Sequence, residues 1–120
     1  MIVGIGVDVV DLARFDRALE RTPKLRDRLF AQSEQAGRSL SNRSLAGRFA
    51  AKEALIKCLP DDTGVGWHDM RVMADSHGNP FFEWSGAVKR VADAWSIHSF
   101  HLSISHDAGV ATAFVIAERP

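Results

Sequence analysis

Hydrophobic and polar positions alternate over residues 2–10. Val3, Ile5, Val7 and Val9 fall on one face, and Ile2, Gly4, Gly6, Asp8 and Val10 on the other. A period of two predicts a strand. Asp11 stands where a helix N-cap belongs, and Leu12, Phe15 and Leu19 then recur at helical spacing as far as Arg21. Thr22-Pro23 interrupts that helix, and a second short helical stretch follows to about residue 30. Residues 35–42 are small and polar and predict a loop. Residues 43–59 predict the strongest helix, with Leu45, Phe49, Ile56 and Leu59 on one stripe and Pro60 ending it. After a turn-rich stretch at 61–66, residues 70–75 alternate, 76–80 form a turn, and 81–84 return as a hairpin. Residues 87–95 predict an amphipathic helix. Residues 98–106 form a strand with Phe100, Leu102 and Ile104 on one face, and after a tight turn at 107–109 the last strand runs over 110–118. The order β-α-α-β-β-α-β-β predicts one α+β domain over residues 1–120, with a mainly antiparallel sheet and one long central helix.

Composition narrows the class. With 46% hydrophobic and 25% charged residues in 120, the chain matches an ordinary globular domain and excludes a disordered or collagen-like one. The single cysteine, Cys58, excludes an intrachain disulfide and a multi-cysteine zinc site, and fits a reducing compartment. No apolar run approaches the ~18 residues of a membrane span. The N-terminus has no basic flank, and Asp8 interrupts the apolar stretch that a signal peptide would continue. The expectation is a soluble, cytoplasmic protein that contacts no membrane. So short a chain buries one core and leaves little room for a deep pocket, so a large ligand belongs on an edge or between subunits.

Net charge is zero, which argues against general nucleic-acid binding. The charge is nevertheless uneven: residues 11–57 carry 11 basic and 6 acidic side chains, and residues 58–120 carry 4 and 8. A basic half on a neutral protein points to a local anionic partner.

The candidate chemistry lies in charges at apolar positions. On the long helix, taking Leu45 as zero, Ile56 falls at about 20° and Phe49 at about 40°. Lys52, at about 340°, sits inside that stripe, and Glu53, at about 80°, on its border, with Lys57 flanking Glu53 at i+4. A buried carboxylate costs several kcal/mol, roughly, unless it is paired or metal-bound; a snorkelling Lys52 and a Glu53–Lys57 surface pair is the plainer alternative. Asp8 shares its strand face with Gly4 and Gly6, and glycine in a strand often marks close approach by a ligand or another backbone. A carboxylate there suggests a hard cation or a phosphate-bound metal, set against an ordinary strand-end Asp. The segment Ser103-Ile104-Ser105-His106-Asp107 ends a strand at a turn. A hydrolase triad is excluded, because neighbouring strand residues point to opposite faces. A phosphate contact by His106 and the serines is the alternative to a hydrogen-bonded turn histidine. His68, His77, His98 and His101 show no metal-ligand spacing.

Together these segments resemble the holo-[acyl-carrier-protein] synthase family, the small 4'-phosphopantetheinyl transferases. Gly4-Ile5-Gly6-Val7-Asp8 with Arg14-Phe15 is similar to the family's opening motif, Arg48-Phe49-Ala50-Ala51-Lys52-Glu53-Ala54 with Lys57 to its central one, and Ser103 to Asp107 to its closing one. The family often carries Phe-Thr before a Glu near position 30, where this chain has Phe30-Ala31 and Glu34. The resemblance implies Mg²⁺-dependent transfer of phosphopantetheine from coenzyme A to a serine of apo acyl carrier protein, releasing 3',5'-ADP, in fatty acid biosynthesis. It also implies a homotrimer with coenzyme A between adjacent subunits. Asp8 and Glu53 are then the expected metal ligands and, with Lys57, the catalytic set. Lys52 and Lys57 add positive charge near the phosphates, Arg48 suits the 3'-phosphate, and His106 of a neighbouring subunit, with Ser105, is a phosphate or adenosine contact. Glu53, a metal-bound water and Asp107 are the candidate general bases. A coenzyme A hydrolase and a noncatalytic coenzyme A-binding module are the competing readings.

Carrier proteins are small and acidic. Arg14, Arg17 and Arg21 fall within about 60° of one another on the first helix, a basic ridge opposite Leu12, Phe15 and Leu19. That ridge is the expected docking surface, against the plainer reading of a solvated face.

Overall fold

The computed structural model describes residues 1–36 and 40–120. Strand β1 spans Ile2–Asp11 and alternates as expected, but its faces have unexpected neighbours. The apolar face is open: Ile5 is 60%, Val7 42% and Val9 59% exposed. The glycine face is the covered one. It lies on the long helix α4, Asn42–Cys58. A Cβ at Gly4 or Gly6 would overlap the carbonyl oxygens of Cys58 and Ala54. The two glycines therefore admit a helix backbone rather than a ligand, and set α4 directly on the strand.

Asp11 caps α1, Leu12–Arg21, its carboxylate accepting the Arg14 N–H at 2.9 Å. Phe15 is buried under that helix, with Leu12 and Leu19 partly so. Two short helices follow, α2 (Leu25–Leu29) and α3 (Gln32–Gln35). The second occupies the start of the expected loop over 35–42, of which residues 37–39 lie outside the described ones. Past α4, one 3-10 turn over Trp67–Asp69 leads into a hairpin of β2 (Met70–Ala74) and β3 (Pro80–Trp84). Asp75 closes that hairpin by accepting the His77 and Asn79 amides, with Gly78 at φ +84°. Helix α5 covers Gly86–Ala94. Strands β4 (Ser99–Asp107) and β5 (Val110–Glu118) meet at a two-residue turn, Ala108-Gly109, with φ of +51° and +77°. Two left-handed residues are what a tight hairpin turn with right-handed strand twist requires.

The strands form two antiparallel sheets, β1-β5-β4 and β2-β3. Asp8 stands opposite Ala113, which stands opposite Ile104, and His106 opposite Ala111. On β5 the inward residues Ala111, Ala113, Val115 and Ala117 are all fully buried. Their small side chains let α4 sit close.

The long helix is buried on more sides than its apolar stripe suggests. Leu45, Ala46, Gly47, Arg48, Ala50, Ala51, Lys52, Ala54, Leu55 and Cys58 are buried, while Phe49 and Ile56 are only partly so. The sheet covers one side and the hairpin and short helices the other. The core side is thus centred on alanines, and the predicted stripe is displaced. Among the described residues, no helix is long and apolar enough to cross a membrane.

Candidate active site

Asp8, near the end of β1, faces α4 because Gly4 and Gly6 have brought that helix onto the strand. Lys57, in the last turn of α4, reaches it: Nζ donates to Asp8 Oδ1 at 2.9 Å and to the Val7 carbonyl at 3.2 Å. Asp8 thus holds Lys57 above the usual lysine range. Glu53, one turn earlier, is half-buried. Burial first, and then the Asp8 charge, push its carboxyl above the usual range, with Lys57 acting in opposition. Burial and a neighbouring carboxylate both disfavour the charge on Glu53, so a cation bound beside it would be favoured.

A groove of about 390 Å³ runs past both carboxylates, lined by Asp8, Asp11, Arg14, Phe15, Arg21, Phe49 and Glu53 among others. Arg14 and Arg21 of the predicted ridge therefore share one groove with the predicted metal ligands. Arg17 does not line it. Asp11 does, although its role as a helix cap disguised it in the sequence. Among the described residues, no three His, Cys, Asp or Glu side chains converge as a complete metal cage. Two carboxylates nonetheless suit Mg²⁺, which commonly takes one or two from the protein and completes its shell with waters and phosphate oxygens.

On the other flank of α4 lies a second hollow, about 220 Å³, lined by Arg48, His106, Ser44, Val72, Gly78 and Pro80 among others. His106 points inward from β4 over Gly47, and its Nε2 lies 3.0 Å from the Arg43 carbonyl. Arg48 is buried and donates to the Val72 carbonyl. In one chain, His106 is separated from Asp8 by strand β5 and by the helix. The two hollows have no lining residue in common.

Two expectations are corrected. Lys52 does not face a groove. It is wholly buried, with Nζ 2.6 Å from Glu34 Oε1, 2.7 Å from the Leu29 carbonyl and 3.0 Å from the Trp67 carbonyl. With all three donors engaged in the interior, it has no phosphate role in this conformation. Ser105 is exposed opposite Thr112 on the outer sheet face, so it and His106 cannot grip one phosphate from the same subunit. Glu34, the buried partner of Lys52, carries no periodic signal because α3 has only four residues. Cys58 is buried and its thiol is pushed up to about 12, which removes it as a nucleophile. A larger hollow of about 520 Å³, beside Asp27 and His68, contains none of the predicted site residues.

A profile of the 4'-phosphopantetheinyl transferase superfamily matches residues 4–115. The chain is 62% identical over 118 residues to the holo-[acyl-carrier-protein] synthase of Clavibacter sepedonicus, covering 98% of this chain and 97% of that one. Its fold superposes on Helicobacter pylori holo-[acyl-carrier-protein] synthase in complex with coenzyme A with a TM-score of 0.83, at 32% identity over 95% of this chain and 99% of that one. The Bacillus anthracis synthase in complex with coenzyme A (3',5'-ADP) gives 0.80 at 35% identity, over 100% and 99%.

Proposed function

This chain belongs to the 4'-phosphopantetheinyl transferase superfamily, and from that premise we propose that it moves 4'-phosphopantetheine from coenzyme A to a serine of apo acyl carrier protein, in the cytoplasm and in the service of fatty acid biosynthesis. The observation that carries this reading is the shared groove: two carboxylates at one end, with Lys57 bonded to Asp8, and Arg14 and Arg21 of α1 along its side.

The serine Oγ attacks the phosphorus on the pantetheine side of the coenzyme A pyrophosphate. A new P–O bond forms, the bridging P–O bond breaks, and 3',5'-ADP leaves with the electron pair. Mg²⁺ held by Asp8 and Glu53 would neutralise the pyrophosphate and the leaving group. Lys57 adds a fixed positive charge at the same place, and Asp8 keeps it protonated. The serine proton passes to Glu53 or to a water in the groove. Asp107 is less suited, since its carboxylate accepts its own turn's Ala108 N–H and faces the sheet side opposite His106. Arg14 and Arg21 offer an acidic protein partner a docking edge beside the reacting atoms, a geometry that suits a carrier protein better than a nucleic acid.

The nucleotide end of coenzyme A takes the second hollow, where Arg48 meets the 3'-phosphate and His106 lies beside it. Because that hollow and the carboxylate groove lie on opposite flanks of α4, one coenzyme spans them by running from one subunit to the next. The open apolar sheet face supplies the means of assembly. Ile5, Val7, Val9 and Phe114 leave an uncovered patch of the kind that marks a protein interface, and we assign it to a symmetric homotrimer.

The test is one incubation of the protein with coenzyme A, Mg²⁺ and an apo carrier protein, read by intact mass. The proposal requires the carrier to gain one phosphopantetheinyl group and 3',5'-ADP to appear. Cleaved coenzyme A with unmodified carrier would point to a hydrolase, and bound but intact coenzyme A to a binding module.

A further inference from the structure

An ion pair taken wholly out of water is weak evidence of stability, because desolvation costs about as much as the attraction returns. The buried pair Lys52–Glu34 calls for another explanation, and its remaining contacts supply one. Glu34 Oε1 also accepts the Ala31 N–H at 2.9 Å, and Oε2 accepts the Val72 N–H at 3.0 Å. Lys52 holds the carbonyls of Leu29 and Trp67. One turn earlier on α4, Arg48 donates to the carbonyl of the same Val72. Both backbone polar groups of Val72 are therefore held from outside the hairpin, the N–H by Glu34 and the C=O by Arg48. Val72 lies in the middle of β2, opposite Phe82. Its hairpin supplies Ala74, Gly78 and Pro80 as the wall facing Arg48 and His106 in the second hollow.

We propose that Glu34 and Lys52 are positioning residues for the nucleotide half of the site. They fix the β2–β3 hairpin against α4, and with it the direction of the Arg48 guanidinium and the width of the hollow. Neither touches substrate. This inference rests on the assignment of coenzyme A to that hollow. Glu34→Gln replaces an acceptor facing the Val72 N–H by a group that is half donor, so the hairpin loses either that anchor or the one to Lys52. Glu34→Asp keeps the charge opposite Lys52 but withdraws it from Val72 by one methylene.

The experiment measures steady-state transfer with coenzyme A and carrier protein varied separately, together with calorimetric titration of 3',5'-ADP. In Glu34→Gln, the KM for coenzyme A and the Kd for 3',5'-ADP rise together by about tenfold, while the KM for carrier protein and kcat per folded protein stay within about twofold. Glu34→Asp shifts the same two constants in the same direction, and decides the matter alone should Glu34→Gln fail to fold. Val91→Ala, which opens the core under α5 away from these anchors, controls for loss of stability and leaves both constants unchanged. Unchanged coenzyme A constants in the folded Glu34 variants, or an equal rise in Val91→Ala, would overturn the inference while the function stands. Wild-type protein that neither binds 3',5'-ADP nor modifies the carrier would overturn the coenzyme A assignment and this inference with it.

Discussion

Glu53 carries the clearest consequence at the scale of single residues. Its folded pKa is raised, so the native state holds the proton more tightly than the unfolded chain does. That contribution is complete below the unfolded carboxylate range and is lost as pH rises through the elevated value. At neutral pH the ionised group therefore works against the fold. Glu53→Gln should abolish transfer yet stabilise the metal-free protein at pH 7, a gain that solvent screening keeps below about 1 kcal/mol and that is read as a higher melting temperature. The gain should vanish in melts near pH 4, and equal melting temperatures at both pH values would show that Glu53 is not strained. Asp8→Ala should also abolish transfer, but without a stability gain, because Asp8 is paired with Lys57. Arg14→Glu should raise the KM for carrier protein several-fold and flatten its salt dependence, with Arg17→Glu milder because Arg17 lies off the groove. A change in the KM for coenzyme A alone would move Arg14 to the nucleotide site. Asp8 and Glu53 stood out in the sequence because charge at a glycine position or on the border of an apolar stripe is costly and demands a reason, and Lys57 only through its place one turn beyond Glu53; the structure brings Asp8 and Glu53 to one groove and Lys57 to Asp8. Lys52 met the same criterion and was misassigned: periodicity reveals that a side chain is buried, not which loop lies above it. Its partner Glu34 sits in a helix too short to have a period.

At the scale of elements, the contact between β1 and α4 sets the geometry. Gly4 and Gly6 were legible as a close approach, but a sequence does not say whether a ligand or a backbone approaches. The alanine-rich helix decided it, since only small residues on α4 and β5 allow a helix to sink into a sheet from several sides. Gly6→Ala places a methyl group against the Ala54 carbonyl. Overpacking of this kind costs about 1–3 kcal/mol, and here it also lifts Glu53 and Lys57 away from Asp8. Thermal unfolding and transfer should both suffer in Gly6→Ala, whereas Gly109→Ala, in the open β4–β5 turn and outside both hollows, should leave activity intact at a modest cost from its positive φ. Full activity in Gly6→Ala would mean that the helix can give way without disturbing the carboxylates.

For the whole molecule, the decisive features are an uncovered apolar sheet face and two hollows on opposite flanks of one helix. The first was half-legible: the alternation of β1 located the apolar face, but alternation does not say that the glycine face, and not the apolar one, meets the helix. Phe114, 52% exposed in the middle of that face, should be buried on assembly. Phe114→Glu should therefore give monomers in sedimentation and remove transfer along with them; a monomeric, fully active variant would break the link between assembly and site. The central claim is that each site joins the Asp8–Glu53–Lys57 flank of one subunit to the Arg48–His106 flank of the next. Subunit mixing tests it most directly. Glu53→Gln and His106→Ala proteins, each strongly impaired alone, are dissociated, combined in equal amounts, reassembled and assayed for transfer. In a cyclic trimer every mixed assembly contains one interface with both flanks intact, so random mixing should restore about a quarter of wild-type activity. Proven subunit exchange with no gain over the separate variants would contradict it.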